Sequence, residues 1–309
     1  MNRDFEKRSK SAIEVLSVLV DTDPQVIFLG GSAIQAILKK PRRLSIDVDV
    51  SYHLAIEKLI RGLEAAGYVV NPRRSKSSEF VLYTLVKAGV MVKLDVSRFA
   101  VKEKEAFEIR GFKVLVPTRS YFLASKLSAL SFGAIGRLEK EPIQIIKDIF
   151  DINCLLDTGA DLVGMRGCWL QIVSDQNRLR GTNYSESECA KKTQEALLRC
   201  VDATPLPEFF IPQSALGSFQ EFLIDGRILR QDLSTMAARA LLLLVIMGPG
   251  FNGLDERVLA ESKDLEKLAK AEATLVAKGL LSSAQADAIK KIAPKALIYL
   301  GYWNENMLV

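Results

Sequence analysis

The sequence predicts an α/β plus α fold, in which a small mixed sheet with flanking helices is followed by a larger helical lobe. Before Pro117, short runs rich in β-branched and aromatic residues alternate with helical patterns, as is typical of a mixed sheet. After Pro117, strand patterns nearly disappear and helical periodicity governs the chain. The predicted domains are therefore residues 1–116 and 117–309, and a chain of 309 residues can give each a core.

The elements follow from local patterns along the chain. Ser32 is predicted as the N-cap of a helix after a Gly30-Gly31 turn, because serine oxygens accept hydrogen bonds from the first helical N–H groups. In the first domain we predict helix 4–20, strand 26–29, helix 33–39, strand 46–50, helix 54–66, strands 79–86 and 90–97, and strands 107–110 and 112–116. In the second we predict helices 119–131, 143–156, 185–200, 213–223, 233–247, 254–277 and 284–292.

Two carboxylates lie one residue apart in the strand 46–50. Alternation puts Asp47 and Asp49 on one face and Val48 in apolar packing. Paired carboxylates repel unless a cation lies between them, and Mg²⁺ prefers such hard oxygen ligands. The upstream strand, Gly30-Gly31 turn and helix could hold a triphosphate through backbone N–H groups. The alternative is an ordinary turn followed by an edge strand with a solvated acidic face.

A third carboxylate lies on the strand 90–97, where Lys93 and Asp95 share one face. If this strand neighbours the strand 46–50, Asp95 would lie beside the first two carboxylates. Three converging carboxylates would bind two divalent ions, one for the attacking oxygen and one for the leaving pyrophosphate. The alternative is a surface ion pair between Lys93 and Asp95.

This ordered set of motifs resembles the DNA polymerase β-like nucleotidyltransferases, and within them the AbiEii/AbiGii toxin family, which includes the MenT-like toxins. The resemblance rests on residues 30–34, Gly-Gly-Ser-Ala-Ile, and 43–49, Arg-Leu-Ser-Ile-Asp-Val-Asp. The family continues with a lysine-bearing helix, which Lys126 matches, and an Arg-Asp-x-x-Asp helix, whose acids Asp148 and Asp151 match. Lys147 stands where the family has arginine, so a planar bidentate donor is lost.

The resemblance implies a polymerase β-like core and a Mg²⁺-dependent enzyme that moves a nucleotide from a nucleoside triphosphate to an acceptor hydroxyl. The implied acceptor is the 3′ end of tRNA, and the implied partner is an antitoxin. The predicted site residues are Asp47, Asp49 and Asp95 for metal, Gly30, Gly31, Ser32 and Ser45 for the nucleotide, and Lys126 with Asp148 for the leaving pyrophosphate.

Several alternatives stay open. The acceptor could be a small molecule or a protein hydroxyl, or the chain could be a non-catalytic nucleotide- or RNA-binding module. Lys126 could be a solvated lysine, and Asp151 could make only a structural hydrogen bond between helices.

Composition fits an intracellular enzyme. The formal net charge is +5, and basic clusters at 39–43, 73–76, 102–104, 137–140 and 178–180 suit a polyanionic acceptor, although for each cluster alone a solvated surface is the favoured interpretation. The four cysteines lack metal-site spacing and are predicted to be reduced, and the single histidine, His53, excludes a histidine-rich metal site. The first residues lack a secretory pattern and the apolar run 237–247 is too short for a bilayer, so we predict a cytoplasmic protein without membrane contact.

Overall fold

The chain forms a mixed α/β fold with one sheet and many helices, in a computed structural model that describes residues 3–38, 40–73, 80–137, 141–159, 162, 164–201, 211–247, 275 and 283–306. The strands are β1 (Ile27–Leu29), β2 (Asp47–Ser51), β3 (Val69–Arg73), β4 (Phe80–Lys87), β5 (Val90–Ser97), β6 (Lys104–Ile109) and β7 (Phe112–Pro117). The helices are α1 (Arg3–Thr22), α2 (Gly30–Ile37), α3 (Ile56–Ala65), α4 (Arg119–Ala129), α5 (Pro142–Asp157), α6 (Met165–Arg180), α7 (Glu186–Val201), α8 (Gln213–Gln220), α9 (Arg230–Met247), α10 (Ser283–Ile292) and α11 (Pro294–Asn306).

The sheet has the strand order β3-β4-β5-β2-β1-β7-β6. β2 is parallel to β5 and antiparallel to β1, while β1 is parallel to β7, so the predicted mixed sheet is confirmed. The edge strand β3 was not predicted, because it is a short run of five residues that includes Asn71 and Pro72. Proline is tolerated at a sheet edge, where its missing N–H leaves no ladder bond unmade.

The two faces of β2 differ as the alternating pattern predicts. Val48 and Val50 are fully buried, and α1 packs against both β2 and β5. Asp47 and Asp49 are only partly buried. Burial of the apolar face therefore sets the register of β2 and directs both carboxylates to the opposite face.

The chain divides into two compact units. The first contains Met1–Phe122 together with Glu221–Gly226, and the second contains Leu123–Gln220 with Arg227–Val309. In the first unit, the segment 221–226 braces the loop before β2: the Leu44 amide donates to the Phe222 carbonyl (2.7 Å), and the Ile224 amide donates to the Arg42 carbonyl (3.2 Å). We call this segment the brace.

The phenyl ring of Phe222 in the brace stacks on Phe5 of α1, with ring centroids 4.6 Å apart. Leu223 forms a β-bridge with Arg43, and α8 consequently ends at Gln220 rather than at the predicted residue 223. Long-range pairing of this kind has no signal in local periodicity.

Most other predicted elements are confirmed to within a few residues, with three exceptions. The N-cap role of Ser32 is wrong: α2 begins at Gly30, with Leu29 at the capping position and no side-chain cap. Helices α6 and α11 were not predicted. The predicted helix 254–277 lies outside the described residues, except for Leu275. Lys39 and Glu79, each at the end of a predicted element, also lie outside them.

The four cysteines are buried free thiols, as predicted. Among the residues that the structure describes, none of the helices is both long and apolar enough to cross a membrane.

Candidate active site

One row of residues crosses the sheet at the predicted acidic strand. Arg73, Leu82, Asp95 and Asp49 are successive register partners on β3, β4, β5 and β2. Directly paired residues lie on the same face of a sheet. Asp47 is two residues before Asp49, lies on the same face and is paired with Lys93. The structure therefore brings all three predicted carboxylates to one surface, which we call the acidic face.

Gly30 permits the closest approach at the acidic face. Its φ is +70°, a left-handed conformation that glycine adopts without steric cost. A Cβ atom built on Gly30 would lie 2.0 Å from Oδ2 of Asp49. The start of α2 and the Asp49 carboxylate are therefore in direct contact, and no side chain fits between them.

Ser32 and Ser45 link α2 to the segment that leads into β2. The Ser32 Oγ lies 2.7 Å from the Ser45 Oγ, and the Ser32 hydroxyl also hydrogen-bonds the Asp47 carbonyl oxygen. Ser32 is buried. These contacts explain why Ser32 does not cap the helix: its hydroxyl fixes the backbone of Asp47 instead.

Asp95 is held by Arg73 across the intervening strand. The Arg73 guanidinium forms an ion pair with the Asp95 carboxylate, so Arg73 rather than Lys93 is its partner. Burial raises the pKa of Asp95, Arg73 opposes that rise, and the Asp47 charge adds to it, so that the pKa lies above its usual value. Sequence reasoning noted Arg73 only as part of a basic loop.

The acidic face has the donor chemistry that a hard divalent cation needs. Oδ1 of Asp47 is buried and accepts no hydrogen bond within the described part of the chain, although a buried carboxylate oxygen normally has a partner. A cation would satisfy it, so the residues fit Mg²⁺. Across the described ranges, no three His, Cys, Asp or Glu side chains are close enough together to enclose an ion.

Lys126, on α4, lies in a buried ion-pair network of the second unit. Its Nζ is 2.8 Å from Asp148 Oδ1 and 3.0 Å from Asp151 Oδ2, both on α5. The side chain is only 11% exposed, so Lys126 is not a solvated lysine. Burial by itself raises the pKa of Asp148, but Lys126 and Arg137 outweigh burial and hold that pKa below its usual value. Both acids of the predicted motif therefore contact Lys126, and their role at the leaving pyrophosphate stays a prediction.

Arg137 completes this network and was missed as a site residue. Its Nε donates to Asp148 Oδ2 at 2.7 Å, so a guanidinium reaches Asp148 although residue 147 is lysine. The loop 131–137 positions it: the Gly136 amide donates to the Ser131 carbonyl (2.8 Å), and Arg180 donates to the Gly136 carbonyl (3.0 Å). A Cβ on Gly136 would come within 2.6 Å of the Ser131 backbone. Only the loop geometry reveals this contact.

The predicted basic clusters are only partly surface features. Arg43 is 3% exposed and donates to the Leu44 carbonyl (3.1 Å), so it does not belong to a polyanion-binding surface. Arg42 is exposed, and Lys40 pairs with Asp225. His53 is exposed, with Nδ1 2.8 Å from the Arg98 carbonyl oxygen. Residues 39, 74–76 and 138–140 of the clusters lie outside the described residues.

Comparison with known proteins assigns the chain to a class. Residues 15–242 match the family model of the nucleotidyl transferase AbiEii toxin of Type IV toxin–antitoxin systems, so the chain is a nucleotidyltransferase. It belongs to the AbiEii family. Family membership implies nucleotidyl transfer in a toxin–antitoxin context, with a nucleotide substrate and an antitoxin partner. No curated protein matches the chain.

Solved structures with similarity to the chain include two proteins of low sequence identity. JHP933 from Helicobacter pylori has 16% identity and a TM-score of 0.36, and the match covers 69% of this chain and 94% of that one. An antigenic nucleotidyltransferase-like protein from Paracoccidioides brasiliensis has 16% identity and a TM-score of 0.35, with 60% and 91% covered.

Replacing Gly30 tests the contact with Asp49. We expect Gly30→Ala to lower nucleotidyl transfer about a hundredfold, because displacing a site carboxylate by an ångström has effects of that order. Gly89→Ala is the matched control, because Gly89 also has a positive φ (+75°) but has no atom within 4 Å of a built Cβ. Both variants carry a backbone strain of about 1–2 kcal/mol. Equal transfer rates in the two variants would show that the Asp49 contact does not matter.

Replacing Lys126 tests the buried network. We expect Lys126→Met to lower the free energy of unfolding by about 3 kcal/mol, because two buried carboxylates lose their shared cation. Adding Asp151→Asn should recover part of that loss. Both tryptophans, Trp169 and Trp303, belong to the second unit, so urea unfolding followed by fluorescence reports on it.

The control for Lys126 is Lys192→Met, which removes an exposed lysine paired with Glu195 in the same unit. This change should cost about 1 kcal/mol or less. Similar losses for the two lysine variants would contradict a stabilising role of the network.

Proposed function

We propose that the chain transfers a nucleotide from a nucleoside triphosphate to the 3′ end of tRNA, with Mg²⁺ held at the acidic face. The observation that supports it most is the direct contact between Gly30 and the Asp49 carboxylate, beside Asp95 on the adjacent parallel strand. The Asp49 carboxylate thus lies against a Gly-Gly segment at the start of a helix. Backbone N–H groups at such a helix start favour phosphate.

Asp47 and Asp49 would hold Mg²⁺, with Asp95 as a third ligand, and bound Mg²⁺ would lower the charge repulsion between triphosphate and attacking oxygen. Gly30 and Gly31 would hold the phosphates through backbone N–H groups. Ser32 and Ser45, which hydrogen-bond each other, would keep that segment at a fixed distance from β2. Ser32 thus contributes by positioning the phosphate-binding segment.

In the transfer, the acceptor hydroxyl oxygen forms a bond to the α-phosphorus, and the hydroxyl proton passes to water. The bond from that phosphorus to the bridging oxygen breaks, and pyrophosphate leaves. We assign Lys126 to the leaving pyrophosphate, where a cation stabilises developing charge. Asp148 would orient Lys126, with which it is paired.

An RNA acceptor, an antitoxin partner and a cytoplasmic location stay predictions. The exposed Arg42, in the loop next to β2, supports an acceptor that carries phosphates. A direct test is to incubate the protein with each labelled nucleoside triphosphate, Mg²⁺, total RNA and protein extract. Labelled tRNA would support the proposal. Labelled protein or a labelled small molecule would show that the acceptor is not tRNA, and binding without transfer would indicate a non-catalytic module.

We expect Asp47→Asn and Asp49→Asn each to abolish transfer while the fold is retained, because removing one carboxylate deletes charge that holds the metal. Circular dichroism would check the fold, and label incorporation would measure transfer. Glu105→Gln is the control, because Glu105 is an exposed acid on the edge strand β6. Comparable transfer in Asp47→Asn and wild type would remove the acidic face from the mechanism.

We also expect acceptor binding to weaken steeply with salt, because contacts between cationic side chains and phosphates release counterions. Arg42→Gln should reduce the slope of log affinity against log salt by about 1. Lys192→Gln, on α7, serves as a control and should leave the slope unchanged. Filter binding of tRNA over a salt series would measure both, and a flat dependence in wild type would favour a small-molecule acceptor.

A further inference from the structure

Arg73 reaches the acidic face from the edge of the sheet. Arg73, Leu82 and Asp95 are consecutive register partners, so the guanidinium passes over β4 to meet the carboxylate on β5. Its Nε donates to the Tyr83 carbonyl at 3.2 Å, and its terminal nitrogen pairs with Asp95. These two contacts hold a positive charge at the same row of the sheet as Asp49.

The Arg73–Asp95 pair is exposed enough to exchange. The two side chains are 28% and 37% exposed, compared with 11% and 1% for Lys126 and Asp148. Ion pairs in contact with water contribute little to stability because solvent screens them and holding two side chains costs entropy. Opening this pair therefore costs little, whereas opening the buried network would leave unpaired charge.

We propose that Arg73 and a divalent ion compete for the Asp95 carboxylate, so that Arg73 sets the affinity of the acidic face for the ion. The inference rests on the proposed function, in which Asp95 is a metal ligand. A guanidinium and a divalent ion use the same carboxylate oxygens, and two cations at one carboxylate repel each other. Binding of the ion is therefore opposed as long as the Arg73 guanidinium stays on Asp95.

Lys93 provides a matched control for general electrostatics. It is a register partner of Asp47 and lies on β5, as Asp95 does, but it is exposed and forms no ion pair among the described residues. Neutralising Lys93 removes a positive charge from the same face without freeing a carboxylate. Its effect on ion binding measures the long-range contribution of one charge.

The test is binding of Mn²⁺, measured by the electron paramagnetic resonance signal of the free ion, to the full chain without nucleotide. We expect Arg73→Gln to bind Mn²⁺ about fivefold more tightly than wild type. Lys93→Gln should change the affinity less. In an Asp95→Asn background, Arg73→Gln should have little effect, because no carboxylate remains to compete for. Circular dichroism confirms that each variant is folded.

Three results would overturn the inference. Unchanged or weaker Mn²⁺ binding in Arg73→Gln would show that there is no competition. If Asp47→Asn nevertheless abolishes Mn²⁺ binding in the same assay, the proposed function stands although the inference fails. An equal gain in Lys93→Gln would show that the effect is general electrostatics. Absence of Mn²⁺ binding in both wild type and Arg73→Gln would overturn the inference together with the metal site of the proposed function.

Discussion

Repulsion between carboxylates on one face of the sheet is the constraint on which the rest of the first unit depends. Parallel pairing of β2 with β5 places Asp49 opposite Asp95, with Asp47 two residues away on the same face. Like charges this close raise the free energy of the folded chain unless cations or hydrogen bonds offset them. Packing of Val48 and Val50 on the other face stabilises the arrangement, because a change of register by one residue would bury the acids.

Two clusters of charge are organised in opposite ways. On the acidic face, Arg73 and Asp95 are partly hydrated, so the partner of Asp95 can change. In the second unit, Lys126, Asp148 and Asp151 are buried and mutually neutralised, with Arg137 as a further cation. The first cluster is suited to ligand exchange. The second is suited to holding one side-chain position, because separating its members would cost several kcal/mol.

The sequence predicts what depends on local periodicity. Alternation gave the face shared by Asp47 and Asp49, whereas Lys126, Asp148 and Asp151 were singled out by the family resemblance. The predicted N-cap role of Ser32 and the predicted surface position of Arg43 were wrong, because both residues make contacts with distant parts of the chain. The Ser32 hydroxyl hydrogen-bonds Ser45 and the Asp47 backbone, and Arg43 is buried where it pairs with the brace. For Arg73 and Arg137 the sequence showed only that they belong to basic clusters. Their partners could not be predicted, because strand order and loop geometry determine them.

The brace is synthesised long after the loop that it supports. The loop that enters β2 is hydrogen-bonded by Phe222 and Ile224, which leave the ribosome about 180 residues after Leu44 does. A nascent chain that contains the whole sheet therefore still lacks part of the support for its acidic strand. Maturation of the acidic face is tied to translation of most of the helical region, so a prematurely terminated product that ends before residue 221 carries the strands of a nucleotidyltransferase without the segment that fixes them.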